Sequence, residues 1–101
     1  MRRGVEALEY FLEVWHSKIK EFDEVEEFEA VVEYALGSDR RVVNTKVIVE
    51  KFFDKRIRFD DLIFEDLKTC FLPEDVEFDP ESGNLYINRN LYRVKIAPKI
   101  C

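Results

Sequence analysis

Every carboxylate side chain in this chain lies at or before Glu81, and the last twenty residues carry only positive charge. A fold for this sequence must either bring an acid-rich part against a base-rich part or leave two surfaces of opposite sign. Apolar spacing changes along the same axis. Steps of three and four dominate the start and steps of two dominate the end, which predicts acidic helices followed by basic strands.

At 101 residues there is room for one core, so residues 1–101 are read as a single domain. Nine Phe, four Tyr and one Trp supply ample apolar bulk and exclude the disordered class. The charged fraction of 38%, with no Gln and a single Met, matches the composition of heat-adapted proteins, which favour ion-pair networks. Cys70 and Cys101 are too few and too far apart for a disulfide scaffold. Glu6, Glu9 and Glu13 interrupt any signal-peptide core, and no apolar run approaches the ~20 residues of a membrane span. A reduced, cytoplasmic setting is expected.

Val5, Leu8, Leu12, Trp15, Ile19 and Phe22 recur at helical spacing, widened by Ala7, Phe11 and Val14. Asp23 followed by Glu26 reads as a capping box, starting a second helix with the face Val25, Phe28, Val31, Val32, Ala35 and Leu36, and Gly37 as its stop. The two would form a helical hairpin. Residues 41–53 are rich in β-branched side chains, with Val43, Thr45, Val47 and Val49 alternating, so a strand is expected. A helix from Asn44 or Thr45 is the competing reading. Arg56–Phe59 is extended, and Asp60 caps a middle helix whose inner face is Ile63, Phe64, Leu67, Cys70 and Phe71, ending at Pro73. Beyond it, Val76 and Phe78, Leu85 and Ile87, then Tyr92, Val94 and Ile96 alternate between turn-forming segments, predicting an antiparallel meander.

No constellation of catalytic type emerges. His16 lacks an orienting carboxylate and a nucleophile, and Cys70 lies on an apolar face without a histidine. Glu77, Asp79 and Glu81 have the spacing of the first ligands of a calcium loop, yet Ser82 stands where that loop needs glycine and Asn88 where it needs glutamate. An acidic hairpin turn fits better. Three glycines, Gly4, Gly37 and Gly83, allow no phosphate-binding loop. No cofactor and no metal are expected, and the chain is read as non-enzymatic.

The expected fold is α+β: an N-terminal helical hairpin, a middle helix and a small antiparallel sheet ending in a C-terminal meander. The expected role is an accessory or regulatory interaction domain that binds another protein or itself as a homodimer. Phe11, Trp15 and Phe22 are the candidate interface residues. The alternative is a nucleic-acid-binding regulator. It would act either through a winged helix, with helices over 44–55 and 60–72 and a wing over 76–96, or through a basic sheet. Its candidate residues are Arg40, Arg41, Lys46, Arg56, Arg58, Arg89, Arg93 and Lys95, with Phe53, Tyr86 and Tyr92 as aromatics. Asp60, Asp61, Glu65 and Asp66 on the would-be recognition helix, and a net charge of −6, oppose phosphate binding.

Overall fold

In the computed structural model, which describes residues 2–52, 54–60, 70–89 and 91–99, more than half of the described residues are strand. Two-residue strand β1 (Arg2–Arg3) precedes helix α1 (Val5–Val14) and a single 3-10 turn at His16–Lys18. Strands β2 (Lys20–Glu21), β3 (Val25–Leu36), β4 (Asp39–Glu50), β5 (Ile57–Phe59) and β6 (Cys70–Phe71) follow. The chain then closes with β7 (Val76–Asp79), β8 (Asn84–Asn88) and β9 (Tyr92–Pro98). All pairings are antiparallel, in the order β1-β7-β8-β9-β3-β4-β5-β6, with β2 added to β3 beside β9. The sheet curls into a half-barrel with α1 against its β7–β8 side.

The helical hairpin is corrected. Residues 25–36, expected as a second helix, form the longest strand, paired with β4 along its whole length. Phe28, Ala30, Val32 and Tyr34 alternate inward while Glu27, Glu29 and Glu33 face outward, so the segment satisfies a period of two as well as one of 3.6. Twelve ladder pairs with β4 and seven with β9 give its backbone more partners than a surface helix would find. Gly37, with φ of 59°, does not stop a helix. It provides the left-handed residue of the two-residue β3–β4 loop. The capping box of Asp23 and Glu26 dissolves for the same reason, since Glu26 pairs with Glu21 and Val49. Helix α1 stops at Val14, well short of Phe22.

Residues 41–50 are strand as their β-branched content predicts, and this overturns the winged-helix alternative, whose first helix needed 44–55. The middle helix falls on 61–69, outside the described residues, but Cys70 and Phe71, assigned to its inner face, pair with β5 instead. The C-terminal meander forms as expected, with Val76 opposite Ile87 and Ile87 opposite Val94.

Two aromatic groups fill the concave side. Phe11 of α1 meets Phe28 and Phe78 at ring-centre distances of 5.1 and 5.7 Å. Tyr34 stacks on Tyr92 at 5.4 Å, and Phe71 joins Phe59 and Tyr92. Burial, and to a lesser degree the nearby Tyr92, pushes the Tyr34 phenol up to about 12. Thr45 lies opposite Ala30 in this core, and its hydroxyl has no hydrogen-bond partner among the described residues. A buried, unsatisfied hydroxyl is destabilising. Thr45→Val is therefore expected to raise unfolding free energy by about 1 kcal/mol in urea titration. A loss of stability would mean the hydroxyl is satisfied after all.

Candidate functional site

The convex face explains the charge pattern. Acid-bearing β3 lies between basic β4 and β9, so that Glu29 is opposite Lys46 and Glu33 opposite Lys95. Glu27 reaches Lys46 at 3.5 Å and Glu33 reaches Arg40 at 3.8 Å. The two signs meet as neighbouring strands of one sheet, and helices are not needed to neutralise the bases. Each exposed pair of this kind contributes roughly 0.2–1 kcal/mol.

This arrangement scatters the basic residues singled out in the sequence. Arg40, Arg93 and Lys95 share a shallow depression of about 480 Å³ with Tyr86 and Asn88, but Glu33, Glu77 and Asp79 line it too. Arg56 bonds both carboxylate oxygens of Glu50, at 3.1 and 3.2 Å, and Arg58 stands 3.9 Å from the same group. Arg89 pairs with Asp75. Arg41 is in register with Tyr34, on the opposite side of β4 from Arg40. Tyr92 belongs to the concave aromatic group, and Phe53 lies outside the described residues. The acidic hairpin is a turn as expected. The Asp79 carboxylate accepts bonds from Glu81 N–H at 3.0 Å and Ser82 Oγ at 3.1 Å, which occupies it structurally.

The three candidate interface residues separate as well. Phe11 is 0% exposed and belongs to the core. Trp15 is half-buried, its indole Nε1–H donating to the Gly83 carbonyl at 2.8 Å. Phe22 is 49% exposed. It sits on the tight β2–β3 turn, closed by Phe22 N–H to the Val25 carbonyl at 2.9 Å. The turn after β4 lies alongside, because Lys51 N–H extends the β3–β4 ladder to the Glu24 carbonyl at 3.0 Å and Lys51 Nζ reaches Glu21 at 3.5 Å.

That second turn carries Phe52, 57% exposed. It is held by Glu50 N–H to the Arg56 carbonyl at 2.9 Å, and Lys55 Nζ ties it to Glu9 of α1 at 3.1 Å. Two large aromatics are thus presented at one end of the sheet by turns fixed to each other. Asp23, Glu24 and Asp54 on the same turns are exposed and make no ion pair among the described residues. The sequence singled out Phe22 but not Phe52, whose proximity depends on the β3–β4 register.

No protein-family model, curated protein or solved structure matches the chain. Among the described residues, no helix is long and apolar enough to cross a membrane.

Proposed function

We propose that this protein is a small, non-catalytic interaction domain of the cytoplasm, whose recognition element is the paired-turn end bearing Phe22 and Phe52. The observation that carries this reading is the exposure of both rings on turns locked together by Lys51. Turns so tied spend little conformational entropy when a partner docks. Covering a phenylalanine contributes about 1.5–3 kcal/mol, and aromatic anchors of this kind dominate interface energetics. Asp23, Glu24 and Asp54 around the rings favour a partner with a basic rim and an apolar pocket. They disfavour a second copy, which would bring the same acids face to face.

The test uses displayed peptides selected on the whole protein. Enriched sequences should combine an apolar anchor with Lys or Arg. Their binding should fall at least tenfold on the double variant F22S/F52S and weaken with added salt. Peptides that bind this variant as well as the parent, or that are acidic, would remove the assignment. A concentration-dependent dimer by light scattering that F22S/F52S abolishes would give the patch to self-association. Binding of single-stranded nucleic acid through Arg40, Arg93, Lys95 and Tyr86 is the weaker reading, because three carboxylates line the same depression.

A further inference from the structure

Strand β3 changes its neighbour partway along: β2 pairs with Glu26 and Glu27, β9 with Ala30 onward. The exchange leaves a notch beside Phe28 and Glu29, closed at one side by Lys99 N–H donating to the Glu29 carbonyl at 3.0 Å. The notch holds about 200 Å³ and is lined by Lys18, Lys20, Glu27, Phe28, Glu29, Lys46 and Lys99. From this geometry we infer that the notch is a binding site for a small, multiply charged oxyanion of the phosphate class.

Four lysines line it from four separate segments: the 3-10 turn, β2, β4 and the residue that follows β9. Two carboxylates accompany them, so the lining carries a formal excess of two positive charges on a chain whose net charge is −6. Glu27 is engaged by Lys46 at 3.5 Å, while Lys18, Lys20 and Lys99 make no ion pair among the described residues. A concave site with a net excess of one sign focuses the field on whatever enters it. Lys20 of β2 stands opposite Glu27, and Lys46 of β4 already engages that glutamate, so one carboxylate serves two bases while Lys18 and Lys99 add two more.

The ligand class follows from size, donor type and surroundings. The volume lies below the ~300 Å³ at which pockets begin to enclose drug-sized molecules. Ammonium groups are rotatable point charges that fit a tetrahedral oxyanion, whereas planar carboxylates are matched by guanidinium forks, and no arginine lines the notch. A neighbouring depression shares Glu29, Lys46 and Lys99 but adds Asp60, so a chain of phosphates running that way would meet carboxylates. The site suits one compact dianion better than a polymer.

Titration of the full chain with inorganic phosphate, followed by NMR at constant ionic strength with chloride as the balancing salt, tests this. Expected are saturable shifts at Lys18, Lys20 and Lys99 with a dissociation constant on the order of 1 mM, since a few screened ion pairs carry no more. Arg93 and Lys95 should not shift with them. The double variant K20E/K99E should weaken binding at least tenfold, while its thermal midpoint confirms that it folds. Linear, non-saturating shifts, or shifts unchanged in K20E/K99E, would overturn the site. An oligothymidylate that binds these residues more tightly than phosphate would overturn the small-ligand class. Neither outcome depends on the Phe22–Phe52 assignment, which F22S/F52S tests separately.

Discussion

Phe11→Ala is expected to cost about 3–5 kcal/mol of unfolding free energy, a large share of the ~5–15 kcal/mol available to a domain. The ring is 0% exposed and sits between Phe28 of β3 and Phe78 of β7, so truncation removes its transfer energy and leaves a cavity walled by two other rings. Those rings belong to strands held in ladders and cannot close the gap by moving inward. Because Phe11 meets rings on both β3 and β7, the helix should loosen along with the core. The thermal midpoint should fall by roughly 15 °C or more. Val14→Ala, at the last position of α1 and 48% exposed, provides the comparison, with a change within about 0.5 kcal/mol. A loss below about 1 kcal/mol for Phe11→Ala would mean that α1 does not seal this side of the half-barrel.

How much of this arrangement was legible depended on whether local pattern or pairing decided each segment. The meander was readable because Val76 and Phe78, Leu85 and Ile87, and Val94 and Ile96 alternate and are bounded by turn residues. Strand β4 was readable from its β-branched run. Strand β3 was not. Phe28, Val31, Val32, Ala35 and Leu36 satisfy a helical face as fully as Phe28, Ala30, Val32 and Tyr34 satisfy a strand face, and its glutamates favour helix locally. Only the presence of β4 and β9 on either side settles the choice, and that information is tertiary.

The same limit governs the candidate sites. Phe22 stood out as an apolar residue at the end of a stripe, whereas Phe52 gains its meaning from the Lys51–Glu24 bond. Lys18, Lys20, Lys46 and Lys99 are spread over most of the chain, and only the switch of neighbours along β3 gathers them. Charge segregation left open whether acids and bases meet, and helical spacing assigned the acids of residues 25–36 to a helix. They alternate along a strand, where every second position faces the bases of the adjoining strands.

Gly83→Ala should be nearly as damaging as the core truncation, at about 2–4 kcal/mol, although it adds a single methyl group. Gly83 closes the β7–β8 turn with φ of 77°, donating to the Asp79 carbonyl at 2.8 Å. A side chain in that conformation costs about 1–3 kcal/mol. A Cβ there would also stand 2.9 Å from Trp15 Cζ2 and 3.4 Å from Nε1, against a rigid ring that cannot bend aside. Trp15 would have to withdraw, breaking its 2.8 Å bond to the Gly83 carbonyl, worth about 1 kcal/mol. Since Trp15 is the only tryptophan, its fluorescence should shift to the red as the indole meets water, together with the fall in stability. A double-mutant cycle with Trp15→Leu separates the two causes. In the leucine background Gly83→Ala should cost only the backbone part, about 1–2 kcal/mol less than in the parent. Equal costs in both backgrounds would mean that the indole does not rest on this turn, and that the end of α1 is anchored by something other than the β7–β8 hairpin.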